Sequence, residues 1–133
     1  MIAYDIHPTG ITGLKKYQLT VDLVEWVYIY PPMSIETDDK FVMLTPSGML
    51  LIRSGYLWDG PSGPAVDTAN AMCASCVHDA LYQMIREGHL PQSTRKQADK
   101  ELYRIARNDG MPWWRAKYWY MAVRLFGGNA LRT

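Results

Sequence analysis

Cysteine is scarce in this chain, and that scarcity sets the first constraint. Only Cys73 and Cys76 occur, three positions apart in a stretch of helical character. A disulfide inside one regular helical turn is geometrically awkward. The chain is therefore no disulfide scaffold, and both thiols read as small buried side chains suited to a reducing cytoplasm. The opening Met-Ile-Ala-Tyr-Asp-Ile-His-Pro lacks the basic segment and apolar core of a secretory signal. No run approaches the roughly 18 apolar residues that a membrane-spanning helix needs. An excess of either charge is missing too: the formal net charge is +1. No whole-protein field then steers the chain toward nucleic acid, and a nucleic-acid partner is not expected.

What charge there is sits unevenly. Residues 1–85 carry four Lys/Arg against nine Asp/Glu, whereas residues 86–133 carry ten against four. The basic C-terminal third either forms solvated helix faces or turns toward something anionic, phospholipid head groups among the candidates. At 133 residues the chain is long enough for one domain with a sizeable core. We read it as a single unit over residues 1–133: a β-rich part to residue 55, a loop of metal-binding type over 56–67, and a helical part over 68–133.

Periodicity supports that division. Residues 1–14 are turn-rich, with Pro8, Gly10 and Gly13, and read as a short arm. Tyr17, Leu19 and Val21 alternate with Gln18, Thr20 and Asp22, the pattern of a half-buried strand, which Trp26–Tyr30 extends until Pro31-Pro32 stops it. Phe41–Thr45 and Met49–Arg53 flank Pro46-Ser47-Gly48, the signature of a β-hairpin. From Thr68 the period turns helical. Asp67 or Thr68 can cap the first helix, Gly88 ends it, Ser93 or Thr94 starts a second, and Gly110 ends that one. Pro112 suits the first turn of a third, strongly aromatic helix over Trp113–Phe126. The expected fold is α+β: one small N-terminal antiparallel sheet, then three helices.

The residues with chemistry cluster between Gly55 and Asp99. Gly60-Pro61-Ser62-Gly63-Pro64 is too punctuated for helix or strand. The first helix then brings His78 and Asp79 side by side, with Tyr82 one turn on, and Asp99 falls on the second helix. On a helical wheel Ala71, Ala74, Ser75 and Tyr82 share the His78 face, and small residues there leave room for a substrate. Cys73, Val77, Leu81 and Met84 make the opposite, core-facing stripe. Neighbours on a helix project about 100° apart, so Asp79 cannot orient His78. A carboxylate beside a loop of free carbonyls instead suits a hard cation, Ca²⁺ first. A neutral imidazole next to that cation could deprotonate water, oriented by Asp99 with Tyr82 bonded to it. A zinc site of Cys73, Cys76, His78 and His89 fails because His78 points away from both cysteines. A phosphohydrolase of the His…His-Asp…Asp type lacks its upstream histidine, since only the turn-rich arm supplies one, His7.

His78-Asp79-x-x-Tyr82, with a glycine loop eighteen residues earlier at Gly60 and Ala98-Asp99 twenty-one residues after His78, resembles the phospholipase A2 superfamily. The likeness is to its compact, disulfide-poor members, such as the phospholipase domain of the parvovirus minor capsid protein. Trp58-Asp59-Gly60-x-Ser62-x-Pro64 before the helix is also similar to an uncharacterised family common in tailed phages and prophages. The resemblance implies Ca²⁺-dependent hydrolysis of a phospholipid ester. His78 would be the general base, Asp99 its orienting acid and Tyr82 the support of Asp99. Asp79 and the backbone carbonyls of Trp58, Gly60 and Ser62 would hold Ca²⁺. Where the phospholipases favour Gly-x-Gly-Gly, this loop has Ser62 at the central glycine, and Asp59 adds an acid that is either a further ligand or a turn cap. The implied setting is synthesis in a bacterial host's cytoplasm, with action at the host membrane or from a virion. The alternative is a non-enzymatic phage protein that keeps the fold to bind a virion or host partner, or to oligomerise through the aromatic third helix.

Overall fold

The computed structural model describes residues 2–6, 17–61 and 68–128. Its N-terminal part holds two antiparallel sheets where the sequence reads as one. Strands β1 (Tyr4–Ile6), β2 (Tyr17–Leu19) and β7 (Leu57–Trp58) form the first, in the order β1-β2-β7. Strands β3 (Leu23–Trp26), β4 (Ile35–Glu36), β5 (Val42–Leu44) and β6 (Met49–Ile52) form the second, in the order β3-β6-β5-β4. The split follows from the chain's turn at Thr20–Asp22, where alternation alone suggests an unbroken strand. The first strand also lies inside the arm read as irregular. Three residues are too few for alternation to register, and only pairing with Tyr17–Leu19 makes them a strand.

The Pro46-Ser47-Gly48 hairpin forms as its turn chemistry requires. The Gly48 amide donates to the Thr45 carbonyl at 3.0 Å, and Gly48 has φ +90°, a conformation costly for any residue with a Cβ. The register sets Val42 opposite Ile52 and Leu44 opposite Leu50, so all four bury on one face. Beyond Trp26 the expected strand stops, and the reason is a long-range competitor. The Tyr28 amide donates to the carboxylate of buried Glu101 at 3.3 Å instead of joining a ladder. Arg104 donates to that same carboxylate and to the Trp26 carbonyl, with its guanidinium over the Tyr28 ring.

Helix α1 (Ala69–Arg86) is followed by a 3-10 turn over Gln92–Thr94 and then α2 (Arg95–Asn108) and α3 (Trp113–Phe126). Gly88 and Gly110 both take positive φ just past the helices they end. Thr68 occupies the N-cap position of α1, although its hydroxyl bonds Asn70 rather than a helix amide. Pro112 stands one place before α3, not in its first turn. One core joins strands and helices: Tyr17, Trp58 and Leu50 from the sheets, and Ala74, Leu81, Leu102 and Trp119 from the helices, are all buried. Among the described residues no helix is long and apolar enough to cross a membrane.

Helix α1 departs from expectation on the His78 side. Ala71, Ala74, Ser75 and Tyr82 are as buried as the opposite stripe of Cys73, Val77, Leu81 and Met84. Space over the small residues is filled by the sheet: the Trp58 indole N–H donates to the Ser75 hydroxyl at 3.0 Å, and that hydroxyl donates back to the Met72 carbonyl. Small side chains let a large neighbour approach here, and no open face results.

Candidate active site

Helices α1 and α2 lie antiparallel, since Tyr82 reaches Arg95 while His78, one turn earlier, reaches Asp99, one turn later. His78 and Tyr82, four apart, share a helix face and stack with ring centroids 4.1 Å apart. Both side chains converge on Asp99. His78 Nε2 lies 2.7 Å from Asp99 Oδ1, and the Tyr82 hydroxyl donates to the same oxygen at 2.6 Å. Asp99 is fully buried and His78 is 7% exposed.

A third donor comes from α3. Arg124 Nη1 donates to Asp99 Oδ2 at 2.8 Å. Arg95 supports the arrangement, donating from Nε to the Tyr82 hydroxyl at 3.2 Å and from Nη2 to the Val123 and Arg124 carbonyls at the end of α3. Neither arginine stood out in the sequence. Arg124 is 25 residues from Asp99 and reads there only as part of a basic surface.

These contacts fix the proton inventory. Burial works to raise the Asp99 pKa, but the hydrogen bonds from His78, Tyr82 and Arg124 outweigh it and hold the carboxyl below its ordinary value. An ionised carboxylate only accepts, so His78 Nε2 must be the donor. The neutral imidazole then carries its lone pair on Nδ1, which has no hydrogen-bond partner among the described residues. Burial, then the hydrogen bond to Asp99, push the Tyr82 phenol far above its usual range, so Tyr82 stays a protonated donor.

Asp79 points elsewhere, as its offset from His78 requires. It lines a cavity of about 210 Å³ together with Trp58, Asp59, Tyr82 and Arg86. His78 is not part of that cavity's described wall. Gly60, next to Asp59, is buried with φ +86°, and a Cβ there would lie 2.3 Å from Tyr17 Cε2. Tyr17 is itself fixed between Tyr4 and Trp58. Gly60→Ala is therefore expected to destabilise the fold by about 1–3 kcal/mol, read as a lowered thermal midpoint. Ser62 and the rest of the loop through Asp67 lie outside the described residues, as does His7.

The remaining candidates separate. Cys73 and Cys76 are buried free thiols, and Cys73 donates to Glu25 at 3.4 Å. His89 joins Asp38 and Glu87 at the far end of α1, with Nε2 3.0 Å from Asp38 Oδ1. Asp38 also donates its amide to Glu87, so this trio clasps the loop before β5 to the helix end. Sequence spacing gives no sign of it, since Asp38 is 51 residues from His89.

A family model described as a protein of unknown function, DUF1353, matches residues 35–123. The chain belongs to the DUF1353 family. The match takes in β4 to β7, the Gly60 loop and all of α1 and α2, and ends at Val123, one residue short of Arg124. No curated protein and no solved structure matches.

Proposed function

We propose that this DUF1353 protein is a hydrolase of phospholipid esters that uses His78 as general base, in the manner of the phospholipase A2 superfamily. The observation that carries the reading is the buried Asp99 carboxylate, held by three donors, of which His78 is one. In that arrangement Asp99 keeps the imidazole in one tautomer and orientation, and Nδ1 is left basic toward a water molecule. As the water attacks the ester carbonyl, its proton passes to Nδ1; when the tetrahedral intermediate collapses, the ester C–O bond breaks and that proton goes from Nδ1 to the departing alkoxide. The imidazolium that forms faces an ionised carboxylate, which lowers the energy of the charged state. Tyr82 and Arg124 keep Asp99 from rotating away.

Calcium fits the residues beside this pair. Asp79 and Asp59 line one cavity at the start of the Gly60 loop, and two carboxylates with loop carbonyls form an all-oxygen donor set of the kind Ca²⁺ takes. Asp79, with the backbone carbonyls of Trp58, Gly60 and Ser62, would hold the ion, and Asp59 is a further ligand on this reading. Bound there, Ca²⁺ would supply Lewis-acid polarisation of the ester carbonyl. Arg86 on the same cavity wall suits the phosphate of the substrate.

The test is fatty-acid release from phospholipid vesicles in excess Ca²⁺ and in chelator, with Asp79→Asn beside the wild type. Release that chelator abolishes, and that Asp79→Asn lowers by about 10²-fold or more, is the expected result. Release indifferent to both would remove calcium from the mechanism.

A second reading has its own observation. Trp113, Trp114 and Tyr118 of α3 are 60%, 61% and 63% exposed, three large aromatic side chains in solvent on one helix. A non-enzymatic phage protein that binds a virion or host component through α3 would account for them. No lipid hydrolysis by folded protein, together with co-sedimentation with virions, would favour that reading.

A further inference from the structure

Helix α3 is mostly apolar apart from Arg115, Lys117 and Arg124, yet only one side of it meets the core. Ala116, Trp119 and Val123 are buried, while Trp114, Tyr118, Met121 and Leu125 form an exposed stripe on the opposite side. Beside this stripe, α2 and α3 enclose a groove of about 230 Å³. Tyr103 and Tyr120 wall it, packed edge to face with centroids 6.4 Å apart, and the side chains of Lys100 and Lys117 complete the lining. Neither ammonium makes an ion pair among the described residues. From Gly110 to the last residue the sequence holds no Asp or Glu at all.

We propose that this groove takes the phosphate of an anionic phospholipid, with the exposed stripe of α3 seated in the membrane interface. Two unpaired ammonium groups on a mostly apolar, tyrosine-walled groove match a phosphate joined to an apolar body. Tryptophan and tyrosine settle at the level of lipid head groups, and Lys117 at the edge of the stripe supplies the cationic flank of an interfacial helix. A second copy of the chain fits worse. A two-fold contact lays the same face against itself, so Lys117 would meet its own counterpart with no carboxylate on the α3 face to offset it. The inference shares its lipid partner with the proposed function but not its chemistry, because none of these residues touches His78 or the Asp79 cavity.

The experiment is co-sedimentation of the full chain with phosphatidylglycerol vesicles and with phosphatidylcholine vesicles, at low and high salt, with tryptophan emission followed. Wild type is expected to bind the anionic vesicles, with a blue-shifted emission, and to lose that binding as salt rises. The doubly substituted K100Q/K117Q, both positions being exposed, is expected to fold normally by circular dichroism and to bind roughly tenfold or more weakly. His78→Gln is expected to bind as wild type does, which separates docking from hydrolysis. Equal binding to both vesicles, or binding unaffected by K100Q/K117Q in folded protein, would overturn the proposal. So would binding of soluble glycerol phosphate without vesicle binding, which would assign the groove to a free phosphate ester. A concentration-dependent dimer that does not bind vesicles would hand the face to a second copy.

Discussion

His78→Gln is expected to lower fatty-acid release from phospholipid vesicles by about 10²–10⁴-fold, the range that a positioned general base contributes. The loss should fall on kcat with little change in KM, because His78 acts on the attacking water and not on the bound lipid. Glutamine is chosen because its side-chain amide can still donate to Asp99 Oδ1, where the imidazole Nε2 now lies 2.7 Å away. The buried carboxylate then keeps a donor, and the thermal midpoint should change much less than for alanine at this site. What glutamine cannot do is accept a proton near neutral pH. Hydrolysis that survives in a folded His78→Gln protein would end the assignment of His78 as base, whatever the calcium dependence. Asp99→Asn gives a complementary reading. With a neutral amide in place of the carboxylate, nothing obliges Nε2 to donate, and the imidazole can adopt the tautomer with its lone pair buried. Activity should fall while the shape of the site is kept.

How far the site could be read from sequence depended on how local each contact is. His78 and Tyr82 are one turn apart, so a helical period alone places them together. The ends of α1 and α2 were legible for the same reason, since Gly88 and Gly110 act within their own turns, whereas Pro112 stands one place outside the first turn it suits. Arg124 was not legible. Its role arises because α3 folds back until its last turn meets the buried end of the α1–α2 pair, with Arg95 bonded to the carbonyls there. Glu101 is the same kind of case. An acid between Lys100 and Leu102 reads as a solvated charge, yet it is 1% exposed and binds Arg104, Gln97 and the Tyr28 amide. Its capture of that amide ends a strand that side-chain alternation alone would prolong. The packed face around His78 escaped for a steric reason: a row of small residues is equally consistent with open space and with a large neighbour, and Trp58 decided it.

Asp99→Ala is expected to cost about 3–5 kcal/mol of stability at neutral pH, the range for removing one partner of a buried ion pair. The deletion leaves His78, the Tyr82 hydroxyl and Arg124 facing a small cavity with no acceptor, and it frees the end of α3 that Arg124 ties to α2. A fall in thermal midpoint of roughly 10–20 °C would follow for a domain of this size. The pH dependence gives the sharper test. The folded-state pKa of Asp99 is depressed, with burial opposing the shift and the three hydrogen bonds outweighing it. A depressed carboxyl contributes stability that is fully present above its unfolded value of 3.8 and is lost as pH falls through the lower folded value. The gap in stability between wild type and Asp99→Asn should therefore be constant near neutrality and narrow as pH drops below about 4. Denaturant midpoints measured from pH 7 down to pH 2.5 would show it. Parallel curves across that window would mean that Asp99 is not an ionised carboxylate in the folded protein. The tautomer argued for His78, which depends on an acceptor-only Asp99, would then fall with it.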